Sequence, residues 1–225
     1  MTITVFISDL DGTLIDTRER VIQAHVDGLQ GIGYPVEATQ VRSLYQFSFD
    51  ARDLLSRLNL HLNESEFIKY LGGFRDSFYA NWQLSHVFPG TIETLQTVQS
   101  QVKYMRLITS RQDMDKTRKE VRRFGLHRFF DKTFTRGDLA HAEGKDRIPL
   151  FPFVPHRRRL IQLALQDIEV DGEVWVVGDS MNEVKAAQSL GFVTIGVLTS
   201  YSTKDDLAPF ARHIINSISE IVQLI

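Results

Sequence analysis

Two short apolar runs, Ile3–Ser8 and Tyr104–Thr109, read as buried parallel strands, and each stops at polar residues. The first runs into Asp9-Leu10-Asp11-Gly12-Thr13 and the second into Ser110. Asp9 and Thr109 lie 100 positions apart, whereas a strand–helix–strand unit takes about 30 residues or somewhat more. The chain between them is too regularly patterned to be a loop. Ile22, Val26 and Leu29 mark one helical face, Leu54, Leu55 and Leu58 a second, and Phe67, Leu71, Phe74, Phe78 and Trp82 a longer third. These positions predict an all-helical insert over residues 17–86 with a core of its own. Phe88-Pro89-Gly90 then returns the chain to the sheet, followed by a helix carrying Ile92, Leu95 and Val98.

The remaining strands are expected at Thr133–Thr135, Glu173–Val177, Phe192–Val197 and His213–Ile215. Between them Met114, Thr117, Val121 and Phe124 form a helical face stopped by Gly125, and Val184, Ala187 and Leu190 another stopped by Gly191. A terminal helix is expected after the last strand. Strand and helix alternating in this order predict the α/β class: a Rossmann-like, doubly wound, mostly parallel sheet with helices on both faces. Residues 1–16 and 87–225 would form that core domain around the helical insert.

Composition narrows the partners. With 26 basic and 28 acidic residues the formal charge is −2, so no global basic field exists to recruit nucleic acid or an anionic membrane. No apolar run approaches the roughly 20 residues that span a bilayer. There is no cysteine, hence no disulfide, thiolate zinc site or cysteine nucleophile, and a reducing cytoplasm is the expected location. The opening MTITVFISDLDGT enters a strand without a basic leader, unlike a signal peptide.

In sheets of this kind ligands bind beyond the carboxyl ends of the strands. The first strand delivers Asp9 and Asp11 there, the second Thr109 and Ser110, and Glu173–Val177 delivers Asp179 through Gly178. Carboxylates converging on one edge repel one another and call for a cation, and an all-oxygen donor set points to Mg²⁺. The seven histidines are scattered, which argues against a histidine metal site.

These same residues carry a resemblance. Asp9-Leu-Asp-Gly-Thr-Leu-Ile-Asp16 resembles the first motif of the haloacid dehalogenase-like hydrolase superfamily in its phosphatase form. Leu107-Ile-Thr109 resembles the second motif, and Gly178-Asp179-Ser180-Met-Asn-Glu183 the fourth. The resemblance implies a Mg²⁺-dependent phosphatase acting on a small phosphorylated metabolite, with 17–86 as a small helical cap like that of phosphoglycolate phosphatase-like members. It makes Asp9 the nucleophile that forms an aspartyl-phosphate and Asp11 the acid and then the base. Asp9, the Asp11 carbonyl and Asp179 would hold Mg²⁺, while Gly12, Thr109, Ser110 and a third-motif lysine would hold the phosphoryl oxygens.

The third motif is where the sequence departs from the family. Lys145, in Glu143-Gly144-Lys145, has the expected upstream context and is the first choice, yet it lies 34 positions before Asp179. Counting back from Asp179 instead lands near Arg157. The segment 146–155 between them holds three prolines and resembles an insertion, and its apolar part, Leu150 to Val154, would either tuck under the cap or contact a partner chain. His156-Arg157-Arg158-Arg159 otherwise reads as a solvated helix start. Glu183 stands where the family usually has Asp and would orient the cation or a metal-bound water, or else simply face solvent. Arg18, His25, Gln46 and Arg75 are polar candidates in the insert. Two rivals stand beside the phosphatase: a phosphosugar mutase of the same superfamily, which would retain the phosphoryl group, and a catalytically weak binding module on the hydrolase scaffold.

Overall fold

The computed structural model describes residues 2–44, 51–148 and 153–225. The chain divides into two compact units, Met1–Ile15 with Val87–Ile225, and Asp16–His86. In chain order the elements are β1 (Ile3–Asp9), β2 (Ile15–Asp16), α1 (Arg18–Gln30), α2 (Ala38–Leu44), α3 (Ala51–Arg57), α4 (Glu64–Ala80), β3 (His86–Val87), α5 (Thr91–Gln99) and β4 (Tyr104–Thr109). There follow α6 (Met114–Arg123), β5 (Lys132–Thr135), α7 (Arg136–Ala142), α8 (Phe153–Leu165), β6 (Glu173–Gly178), α9 (Met181–Gln188), β7 (Val193–Val197), α10 (Lys204–Leu207) and β8 (His213–Ile215).

The larger unit is built on six parallel strands in the order β5-β4-β1-β6-β7-β8. The strands β1, β6 and β7 are buried on both faces, which explains their nearly unbroken apolar sequences. Phe6, Leu107 and Val177 face one layer with Leu95 and Val98 of α5 and Val121 of α6. Val5, Ile7, Ile108 and Val176 face the other, against Leu139 of α7, Leu160, Ile161 and Ala164 of α8, and Ala186 and Ala187 of α9. The chain leaves β1 toward β4 and β5 and later returns to its other side as β6, so the strand order reverses at β1, the place where such sheets open a crevice. The register sets Asp9 beside Ile108 and Ser8 beside Val177, which brings the ends of β1, β4 and β6 to one edge. The expected terminal helix is a short 3₁₀ turn, Ile218–Gln223, whose Ile218 and Ile221 are buried in the first layer.

The smaller unit is helical, with four α-helices among its described residues where the hydrophobic pattern marks three. The additional one, α2, is only seven residues long and buries only Val41, too little to print a periodicity. Ile22, Val26, Leu29, Leu54, Leu55, Phe67 and Tyr70 form the core of this unit. Helices α1 and α4 cross through glycines: a Cβ on Gly28 would meet the Phe74 nitrogen and Tyr70 oxygen at 2.9 Å, and one on Gly73 would meet the Gly28 Cα at 3.2 Å. At the start of α4, Asn63 and Glu66 form a reciprocal capping box. The long stripe is only partly core, because Phe67 is buried whereas Leu71 is exposed, and Trp82 lies beyond α4 in a 3₁₀ turn. Gln46 and residues 150–152 lie outside the described residues.

Candidate active site

The turn after β1 is fixed before any ligand is considered. Gly12 N–H donates to the Ile15 carbonyl at 2.8 Å, and Leu14 N–H to that of Leu10 at 3.0 Å. Gly12 has a φ of +80°, and a Cβ there would stand 2.4 Å from Asp179 Oδ2, so both conformation and space demand glycine. Thr13 Oγ1 donates to Asp179 Oδ1 at 3.2 Å and accepts from the Asp179 N–H at 3.1 Å, locking the ends of β1 and β6 together. On the far side the Thr199 hydroxyl donates to the Gly12 carbonyl. Ser180 caps α9 by accepting from the Asn182 N–H, and Glu183 follows in the first turn of that helix.

Asp9, Asp179 and Glu183 are all buried, and each offers a carboxylate oxygen within 4.8 Å of the others. One guanidinium sits among them: Arg157 Nη1 meets Asp9 Oδ1 at 3.0 Å and its Nη2 meets Glu183 Oε1 at 2.5 Å. Burial and the Glu183 carboxylate hold Asp9 well above the usual carboxylate range, although Arg157 pulls the other way. Burial and the charge of Asp9 push Asp179 up to about 7. Burial also pushes Glu183 up to about 7, against the pull of Arg157. Three carboxyl groups face one guanidinium, and fully ionised they would carry two uncompensated negative charges, which is why burial favours their protonated forms. An all-oxygen donor set with that charge fits a hard divalent cation.

Asp11 stands apart from this cluster. Arg111 grips it with Nε on Oδ2 at 2.9 Å and Nη2 on Oδ1 at 2.7 Å, and Thr109 Oγ1 donates to Oδ2 at 3.2 Å. Ser110 Oγ lies 3.1 Å from His156 Nε2. Lys145 is not brought to the cluster: its half-exposed ammonium pairs with Glu143 at 2.6 Å. The cation beside Asp9 is Arg157, and the reason lies in α8, which carries this side chain inward while Arg158 stays exposed. The reading of 156–159 as a solvated helix start is therefore corrected, since His156 and Arg157 are buried. Glu183 is likewise no solvent-facing residue.

Several residues at this edge carry no signal in the sequence. Arg111 lies two residues beyond Thr109, and its partner Glu120 looks like one more charge on α6, yet both are buried. The loop after β7 brings Ser200 beside Asp179 and Tyr201 beside Ser180. Burial and the neighbouring Asp179 charge push the Tyr201 hydroxyl upward.

With this geometry in place, comparison with known proteins is specific. The sequence matches the haloacid dehalogenase-like hydrolase family over residues 6–197. The chain belongs to that family. It is 28% identical to a phosphoglycolate phosphatase from Vibrio parahaemolyticus, over 96% of this chain and 93% of that protein. Its fold is similar to that of a haloacid dehalogenase-like family protein from Streptococcus pneumoniae, with a TM-score of 0.78, 19% identity and coverage of 99% of this chain and 98% of the other. Among the described residues no helix is long and apolar enough to cross a membrane.

Proposed function

We propose that this hydrolase is a Mg²⁺-dependent phosphatase that releases phosphate from a small phosphorylated metabolite through an aspartyl-phosphate at Asp9. The observation that supports the reading is the buried Asp9–Asp179–Glu183 group with Arg157 as its counter-ion. Asp9, Asp179 and Glu183 would hold the metal, with the Asp11 carbonyl as a further oxygen donor from the same turn. When bound, Mg²⁺ supplies positive charge against the phosphoryl oxygens.

The remaining chemistry falls to the chain's own residues. Arg157, already against the nucleophile, steadies Asp9 and offers its donors to the phosphoryl group, the role for which Lys145 is too remote. Thr109, Ser110 and the backbone N–H groups around Gly12 line the edge where the phosphoryl oxygens would lie. Asp11, two residues beyond Asp9 on the same turn, exchanges protons with the departing oxygen and then with the attacking water. The helical insert 17–86 is the proposed cap domain, where choice among metabolites would reside, and a cytoplasmic setting belongs to the same reading. The displaced third motif is the one feature that favours a mere binding module, and the Arg157–Asp9 pair supplies the missing cation.

The test is phosphate release from a panel of phosphorylated metabolites that includes 2-phosphoglycolate, with Mg²⁺ and with chelator. Asp9→Asn serves as the blank. Wild-type turnover should require the metal, and the variant should release no phosphate above background. Equal release by both proteins would remove Asp9 as nucleophile, and transfer of the phosphoryl group to a second sugar hydroxyl would mark a mutase.

A further inference from the structure

Ser110 Oγ stands 3.1 Å from His156 Nε2, although 46 positions separate the two residues in the chain. Ser110 is half-buried at the end of β4, and His156 is 1% exposed. The reason for the encounter lies in α8. Two consecutive side chains of this helix turn inward, His156 to Ser110 and Arg157 to Asp9, where its Nη1 meets Oδ1 at 3.0 Å. The residues on either side of that pair, Pro155 and Arg158, are exposed. The Arg157 contact has a use in the phosphatase reading, and the His156 contact has none so far.

A serine hydroxyl has one hydrogen to give and two lone pairs, and a ring nitrogen of neutral histidine either donates or accepts. Two arrangements are therefore open to the pair. With a bare Nε2 the Ser110 hydrogen goes to the ring, and only lone pairs are left for an incoming ligand. With a hydrogen on Nε2 the ring fills one lone pair of Oγ, and the Ser110 hydrogen is left to donate elsewhere. An ionised phosphoryl group offers oxygens that accept, so it fits only the second arrangement. We infer that His156 is a positioning residue for the phosphoryl group: its Nε2–H donates to Ser110 Oγ and aims the Ser110 hydrogen at a phosphoryl oxygen. The inference rests on the phosphatase reading and adds a residue to it. No proton changes owner and no covalent bond forms or breaks. The ring fixes the direction of a donor before the ligand arrives, which is where such donors gain their effect. The hydrogen bonds run in one sense from ring to hydroxyl to phosphoryl oxygen, and each strengthens the next.

The experiment is a double-mutant cycle on kcat/KM, with p-nitrophenyl phosphate and the fastest metabolite of the panel as substrates. Ser110→Ala loses a hydrogen bond to a charged group and should lower kcat/KM by about 10–10²-fold. His156→Phe leaves the hydroxyl undirected and should cost about tenfold. In the Ser110→Ala background the same replacement should change kcat/KM by no more than about twofold, because the group through which His156 acts is gone. The inhibition constant of inorganic phosphate should follow the same pattern. His156→Gln sets an amide N–H donor near the place of Nε2 and should restore most of the loss. If His156→Phe does not fold, His156→Asn, whose amide stops short of Ser110, takes its place in the cycle. Losses that multiply in the double variant, or a Gln variant as poor as the Phe one, would reduce His156 to packing. Either result overturns the inference and leaves the phosphatase reading standing, as would a Ser110→Ala enzyme with full kcat/KM. A wild type that releases phosphate from no substrate would overturn the phosphatase reading and the inference with it.

Discussion

Arg157 and Lys145 differ in what each side chain touches. Arg157 bridges two buried carboxylates, Asp9 and Glu183, whereas Lys145 pairs with Glu143 in solvent. Exposed pairs of the second kind contribute at most about 1 kcal/mol, and Lys145→Ala should leave both turnover and melting temperature nearly unchanged. Arg157→Ala removes the donor beside the proposed nucleophile Asp9, and phosphate release should fall by about 10²–10³-fold. It also strands two buried acids, at a cost of roughly 3–5 kcal/mol in stability. Arg157→Lys separates the effects, since it restores charge without the fork and should recover most of the stability but only part of the rate. Steady-state kinetics with thermal melts on the three variants decide the matter. A Lys145→Ala enzyme crippled in turnover but not in folding would return the third-motif role to Lys145.

At the scale of elements, the glycine crossing of α1 and α4 makes a sharp prediction. Gly28→Ala would place a methyl 2.9 Å from two backbone atoms of α4, with no flexible side-chain end to yield. Overpacking of this kind costs about 1–3 kcal/mol, so Gly28→Ala should speed hydrogen exchange across α1 and α4 while leaving β1, β4 and β6 protected. Gly72→Ala, where a Cβ meets nothing within 4 Å, is the control. The crossing also shows what the sequence withholds. Strand ends and long helices are legible because their signals are local: apolar runs in β1 and β6, the Gly125 stop after α6, the spaced Ile22, Val26 and Leu29 of α1. Asp9 and Asp179 are legible as partners because parallel strands deliver their ends to a common edge. Arg111 and Glu120 are not, since an acid next to Lys119 on α6 reads as surface until the register of β4 sets an arginine against it. Arg157 is legible only by counting back from Asp179, because its inward turn depends on how α8 packs on the sheet.

At the scale of the molecule, the charge at the sheet edge couples stability to pH and, in the proposed reading, to Mg²⁺. Asp179 and Glu183 rise to about 7 from ordinary values of 3.8 and 4.5. Between those limits the folded chain keeps protons that the unfolded chain has lost, so this pair weakens folding as pH rises from about 4 to 7, on the order of a few kcal/mol in the metal-free protein. Other groups run the opposite way. His25, buried against Tyr70 and Phe74, is lowered by burial to about 3, so its share of stability grows as pH climbs from about 3 and is complete above the ordinary histidine value of 6.5. Glu143 and Asp167, held low by Lys145 and Lys132, add stability that is complete by about pH 5. A metal-free melt therefore mixes signs, but the shift produced by Mg²⁺ does not, because His25 and the surface pairs cancel between the two conditions. In the proposed site, Mg²⁺ would have to displace the protons on Asp9, Asp179 and Glu183. The rise in melting temperature on adding Mg²⁺ should be small at pH 5 and grow through pH 8, at roughly 2–4 °C for each kcal/mol of binding in a chain of this size. Asp179→Asn should abolish the rise at every pH. A Mg²⁺ shift equal at pH 5 and pH 8, or larger at pH 5, would mean that the ion binds elsewhere and that these buried acids hold protons for some other reason.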